Sequence, residues 1–64
     1  MSLFSVNSSA IAAIGYEDGT LAVVFTTSDT VYLHHSVPYA VYAALMQSES
    51  MGAFYNRHIR GRYQ

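Results

Sequence analysis

Apolar positions alternate with polar or small ones through the first half of the chain, and switch to helical spacing in the second. From Ser9 to Tyr16 the pattern reads as a strand, with Ile14 and Tyr16 on one parity and Ile11 and Ala13 on the other. The alanines here leave a helix open as an alternative. Glu17-Asp18-Gly19 follows, and Asp-Gly between two apolar runs is a strong short-range hairpin signal. Thr20 to Thr26 is the clearest strand. Leu21, Val23 and Phe25 alternate with Thr20, Ala22 and Val24, and both faces are largely apolar, which predicts a central position. Thr27-Ser28-Asp29 makes the next turn. Thr30 to His35 then predicts a third strand, with Val31 and Leu33 on one face and Tyr32 and His34 on the other.

Pro38 marks a helix start, because the first helical turn has no use for the N–H that proline lacks. Val41, Tyr42 and Leu45, with Met46 at the margin, then form one apolar stripe. Ser48-Glu49-Ser50 weakens the pattern, and Gly52 is placed as the left-handed residue just past the helix end. A short helical turn is expected from Ala53 to about Arg60, anchored by Phe54 or Tyr55 and by Ile59. The expected class is α+β: a three-stranded antiparallel meander, one helix and a short C-terminal helical turn.

Composition sharpens this picture. A chain of 64 residues makes one domain, and a core of that size is marginal without a further staple. Cysteine is absent, which excludes disulfides and thiolate metal sites. Only 11% of residues are charged against 52% hydrophobic, where a typical soluble domain has about 25% charged. Self-association into a homo-oligomer is therefore the expected staple. The plainer alternative is that Ser, Thr, Asn and Tyr keep the surface wet in a monomer. The start of the chain has no basic leader with an apolar run behind it, and no stretch approaches the roughly 20 apolar residues of a membrane span. A soluble, cytoplasmic protein is expected, with no membrane partner.

The order of short motifs is also informative. Ser8-Ser9-x-Ile11, Ile14-Gly15-Tyr16, Leu21-x-Val23-x-Phe25, Val31-Tyr32, Val37-Pro38, Val41-Tyr42, Leu45, Ser50-x-Gly52, Phe54-Tyr55-Asn56, Ile59 and Tyr63 follow one another. In this succession the chain resembles the KTSC domain, a short module found at the C-terminus of some lysyl-tRNA synthetases and as free-standing bacterial and phage proteins. The resemblance runs from about Val6 to Tyr63. It implies an α+β fold and RNA or nucleotide binding. Where the family usually has Tyr-x-Tyr, this chain reads Tyr32-Leu33-His34, so the second ring has become an imidazole.

Three sets of residues are candidates for chemistry. The first is the segment from Tyr55 to Tyr63. Lysine is absent, and all three arginines, Arg57, Arg60 and Arg62, lie here, after the acids Glu17, Asp18, Asp29 and Glu49. Arginine forks grip phosphate, tyrosine faces stack on bases, and Asn56 can bond base edges. Arg57 and Arg60 are expected to share a helix face. The alternative is a solvated terminal turn whose arginines pair with the acids. The second set is the face of Tyr32 and His34, with Tyr16 beside it, either exposed as a stacking platform or packed beneath the helix. Packing is the favoured reading, although Val31 and Leu33 make the more natural core face. The third set is the histidines. His34 and His35 are adjacent on a strand, point to opposite faces and cannot share a metal, so no metal site or cofactor is expected.

No spacing of a nucleophile, base and acid, no glycine-rich phosphate loop and no carboxylate pair stands out, so the expectation is a binding domain and not an enzyme. The partner expected is a nucleotide or short oligonucleotide, with Arg57, Arg60 and Arg62 on phosphates and Tyr32, Tyr55 and Tyr63 stacking. Long nucleic acid calls for on the order of 6–10 phosphate contacts, more than one copy offers. A free-standing module of this kind would act by sequestering a nucleotide, for example a signal in phage–host conflict. The competing expectation is a protein-interaction or self-assembly module built on surplus apolar residues such as Leu3, Phe4, Met46 and Met51.

Overall fold

The computed structural model describes residues 1–63. Four strands form one antiparallel sheet in sequence order: β1 (Phe4–Ser5), β2 (Ile11–Glu17), β3 (Thr20–Phe25) and β4 (Val31–His34). Helix α1 (Tyr39–Gln47) follows, then a short α2 (Met51–Phe54) that runs directly into a π-helical turn (Tyr55–Ile59). The class is the α+β expected, but the meander has four strands where three were predicted. The additional β1 is two residues long and pairs Phe4 with Ile14 and Ser5 with Ala13. Two residues are too few for an alternating pattern to register.

The β2–β3 hairpin forms as the sequence dictates. Glu17 pairs with Thr20 across a two-residue loop, and Asp18 and Gly19 have φ of 49° and 81°. Positive φ at both loop positions is the turn whose twist matches antiparallel strands. The register slips between Ile11 and Ala13, leaving Ala12 as an extra residue in β2. Such a bulge shifts side-chain parity. It explains why Ile11 and Ile14, predicted to face opposite ways, are both in the core.

The register also decides between the two readings of β4. Leu21 and Val23, both core residues, lie opposite His34 and Tyr32, whereas Ala22 and Val24 lie opposite Leu33 and Val31. Tyr32 and His34 therefore share the helix-covered face, and Val31 and Leu33 are on the outer face, 46% and 49% exposed. Alternation alone names two parities without saying which is inward. The deciding fact is the pairing with β3.

The core consists of Ile11, Ile14, Leu21, Val23, Val37, Leu45, Tyr55 and Ile59, between the sheet and the helical segments. Pro38 is the residue just before α1, extended at φ −62° and ψ 148°, and its carbonyl takes the first helical bonds from Val41 and Tyr42. Helix α1 ends on Ser48, whose N–H and hydroxyl both bond the Leu45 carbonyl, at 3.2 and 2.7 Å. Ser50 then caps α2 by accepting from the Ala53 N–H at 3.2 Å. The serine-rich stretch is thus a break between two helices. Gly52, predicted to end α1, lies inside α2, where a Cβ would sit 2.9 Å from the Ala10 Cβ. It is required for the close approach of helix to sheet. Among the described residues, no helix is long and apolar enough to cross a membrane.

Candidate ligand cleft

The C-terminal helical segment supplies both a core anchor and an open rim. Tyr55 and Ile59, four apart, are buried, while Asn56, Arg57, His58 and Arg60 are exposed. The turn is widened by one residue: the Arg60 N–H bonds the Tyr55 carbonyl at 2.8 Å, an i to i+5 bond. Widened turns of this kind recur at functional sites. Asn56 and Arg60, four apart and on one side of this turn, line one cleft of about 250 Å³ together with Tyr55, Phe25 and Tyr32.

The rings meet edge-on. Phe25 is 5.1 Å from Tyr55 at 78° and 5.5 Å from Tyr32 at 69°, measured between centroids. T-shaped contacts of this kind are attractive and hold the three rings against one another beside the cleft that they line.

Behind the cleft lies a short buried chain of hydrogen bonds. His34 Nδ1 is 3.1 Å from the Tyr63 carbonyl oxygen, and its Nε2 is 2.8 Å from the Tyr55 hydroxyl. A carbonyl only accepts, so Nδ1 carries the proton. In the neutral ring Nε2 is then an acceptor, and Tyr55 donates to it. Burial pushes the Tyr55 hydroxyl above the usual tyrosine pKa. The nearby Arg60 guanidinium pulls it down, and the Tyr32 hydroxyl adds to the rise.

The predicted site residues divide accordingly. Tyr32, Tyr55, Asn56 and Arg60 come together at the cleft. His34 is behind it, 9% exposed, as a support for Tyr55. Tyr63 is half-buried against the core and contributes its carbonyl to His34. Arg57 and Arg62 are exposed and do not line the cleft. Arg57 and Arg60 were expected on one face, but Arg60 ends the π-turn in extended conformation, at φ −61° and ψ 125°, and lines the cleft with Asn56 while Arg57 does not. Among the described residues, no arginine forms an ion pair, and the acid that does, Glu17, meets the Met1 amine at 3.3 Å. Sequence reasoning missed Phe25 as a wall. Its place as the last residue of a central strand, next to a turn, was the available signal.

The remaining candidates are accounted for elsewhere. Tyr16 stacks on Tyr42 under α1, away from the cleft. His35 bonds Thr20 Oγ1 at 3.3 Å, and His58 packs on the Phe54 ring. Among the described residues, no three of His, Cys, Asp and Glu gather as metal ligands do. A second hollow of about 160 Å³ is lined mainly by serines. Ser8, Ser48 and Ser50 there are already engaged with backbone groups.

The family model of the KTSC domain matches residues 7–63. The chain belongs to the KTSC domain family. It is 41% identical over 61 residues to a protein of Tsukamurella paurometabola, covering 92% of this chain and 90% of that one. The fold is similar to the crystal structure of a KTSC domain protein from Yersinia pestis, with a TM-score of 0.90, 29% identity, and coverage of 98% of this chain and 90% of that one. The resemblance read from the motif order is thereby shown across nearly the whole KTSC domain.

Proposed function

We propose that this KTSC domain is a non-enzymatic binding module for a nucleotide or short oligonucleotide, with the ligand seated in the cleft lined by Tyr32, Phe25 and Tyr55. The observation that carries the reading is the lining itself: a guanidinium with no carboxylate partner among the described residues, an amide and three aromatic rings around one cleft. Aromatic walls take a base, the amide meets its edge, and the guanidinium forks onto a phosphate. The same lining holds no carboxylate, and its nearest imidazole is committed to Tyr55 and Tyr63. Arg57 and Arg62 stand outside the cleft as additional phosphate contacts for a ligand longer than one unit.

The test is titration of the folded protein with mononucleotides and short oligonucleotides at two salt concentrations. Arg60→Ala is expected to weaken binding by at least about tenfold, or about 1.4 kcal/mol, and to flatten the salt dependence. Arg57→Ala is expected to have a smaller effect. Equal affinity for wild type and Arg60→Ala would sink the reading.

A second reading, a self-assembly or protein-interaction module, is favoured by one specific observation. The edge strand β4 exposes Val31 and Leu33 on the outer face and carries no charged guard, an arrangement that invites pairing. Leu3 and Phe4 are exposed as this reading needs, whereas Met46 and Met51 pack against the core. Sedimentation of wild type and Leu33→Lys separates the two. A homo-oligomer dispersed by Leu33→Lys, with no nucleotide bound by either, favours assembly.

A further inference from the structure

The two edges of the sheet are finished differently. On one side β1 is two residues long. On the other, β4 has four residues in unbroken register with β3 and carries no proline and no charged side chain. An edge strand turns part of its N–H and C=O groups outward, unpaired, and proteins usually guard such a row with a charge, a proline or a bulge. Here Thr30, Val31, Tyr32 and Leu33 form an unguarded run of exposed residues.

A strand that pairs with its own copy does so about a two-fold axis, so that residue i faces j and j faces i. Residues directly opposite share a face of the sheet, so only registers centred on a single residue are open. Centring on Tyr32 or on Leu33 gives the longest overlap of β4 with itself. With Leu33 at the centre, Val31 meets the partner's His35, and Tyr32 meets the partner's His34, which is already buried and bonded at both nitrogens. With Tyr32 at the centre, Val31 meets the partner's Leu33 on either side of the axis. Continuing the count, exposed Asp29 comes level with the partner's exposed His35, whose Nδ1 is taken by Thr20 and whose Nε2 is free. The Tyr32-centred register sets apolar against apolar and acid against imidazole, and brings no like charges together.

That register also places Tyr32 opposite the partner's Tyr32 on the helix-covered face. Of the three rings lining the cleft, Tyr55 is buried and Phe25 half-buried, whereas Tyr32 is 45% exposed. Tyr32 is thus the wall without backing. Opposite residues of paired strands have Cβ atoms about 4.5–5.5 Å apart, so the partner's ring stands against that exposed side. We infer that two copies of this chain join through β4 in the Tyr32-centred antiparallel register, and that the partner's Tyr32 completes the aromatic wall of each cleft. The part played in ligand binding rests on the nucleotide reading above; the pairing stands apart from it.

The chain has no cysteine, so disulfide trapping reads the register directly. Sedimentation of the wild type should show a reversible dimer in the micromolar range, as suits a small interface. Under mild oxidation Tyr32→Cys should link to itself, and Val31→Cys should link to Leu33→Cys in a mixture, because paired Cα atoms lie about 4.5–5.5 Å apart. Val31→Cys or Leu33→Cys alone should not link, since each then lies more than about 7 Å from its own copy. Leu33→Lys puts its charge on the outer face, away from the cleft, so any effect on the ligand acts through the partner. It should disperse the dimer and weaken binding of AMP, CMP, GMP or UMP, whichever the wild type binds, at least about fivefold. A wild type that stays monomeric at millimolar concentration, with no Tyr32→Cys disulfide, overturns the pairing. Self-linking of Leu33→Cys alone overturns the register and takes the partner's Tyr32 out of the cleft. A dimer linked as expected, whose Leu33→Lys variant binds nucleotide as tightly as wild type, overturns the shared site and leaves the nucleotide reading standing. Such a dimer with no nucleotide bound overturns that reading and the shared site, and leaves the pairing standing.

Discussion

Two aromatic clusters lie on the helical face of the same sheet, and they have opposite fates. Tyr16, opposite Leu21 near one end of β3, lies flat on Tyr42 of α1, with centroids 4.6 Å apart and planes 8° from parallel. Tyr39 closes the side at 6.1 Å, and the Tyr16 hydroxyl donates to the Val37 carbonyl at 2.6 Å. At the other end of β3, Phe25 meets Tyr32 and Tyr55 edge-on, and the three rings line an open cleft. Similar residue types thus make a packed corner in one place and a cleft in the other. The difference lies in what the helical segment brings. Helix α1 brings a second ring to stack, which fills the space. The π-turn brings one ring from below and polar side chains at the rim, which leaves the space lined but unfilled.

The sharpest way to break this comparison is to delete one ring from each cluster. Tyr16→Ala should remove a stack and a hydrogen bond and cost about 3 kcal/mol, near the low end of buried aromatic truncations. Tyr32 is 45% exposed, and Tyr32→Ala should cost less than about 1 kcal/mol while weakening nucleotide binding. Urea unfolding of both variants reads the difference. Equal losses of stability would mean that the second cluster is core and not a ligand wall.

A smaller effect is expected where the π-turn is tied to the sheet. Gly52→Ala would press its Cβ against Ala10, whose own Cβ has no rotamer to escape into. Segment 51–59 would have to lift from the start of β2, at a cost of about 1–3 kcal/mol, typical of overpacking. Thermal unfolding measures that cost. A nucleotide titration of the same variant shows whether the lift opens the cleft, since Asn56 and Arg60 are carried on the same segment.

These positions also show how far the sequence was legible. The β2–β3 hairpin, the central place of β3 and the helix after Pro38 all follow from strong local signals: Asp-Gly chemistry, unbroken alternation and proline's fixed φ. The inward face of β4 was only weakly legible: packing of Tyr32 and His34 was the favoured reading, but Val31 and Leu33 are more apolar, and the register with β3 is what decides for the polar pair. Burial of His34 becomes tolerable once Tyr55 and the Tyr63 carbonyl satisfy both ring nitrogens, and those partners are 21 and 29 residues away. The bulge at Ala12 is likewise invisible to a parity count. At the cleft, Tyr32, Tyr55, Asn56 and Arg60 were named from residue type, but their grouping was not. A regular helical turn would put Arg57 and Arg60 on one face, but Arg60 leaves the helix in extended conformation and only it lines the cleft.

The smallest effect isolates the Tyr55 hydroxyl, which the packed corner has no counterpart for: buried, and bonded to a side chain that itself needs support. Tyr55→Phe leaves His34 Nε2 without its donor and should lower stability by about 1–2 kcal/mol near neutral pH. The pH dependence of that gap has a definite sign. Burial raises the folded pKa of Tyr55 above its unfolded value near 10, so below pH 10 both states carry the proton and the gap is constant. Above pH 10 the unfolded chain ionises Tyr55 while the folded chain resists. The unfolded state gains, and the contribution of Tyr55 to stability is lost as pH rises through the folded pKa. Urea unfolding of wild type and Tyr55→Phe from pH 7 to 11 should therefore give a difference that is flat and then narrows. A difference that widens above pH 10 would mean that the folded state welcomes the phenolate, with Arg60 outweighing burial, and the Tyr55 proton would no longer be locked to His34.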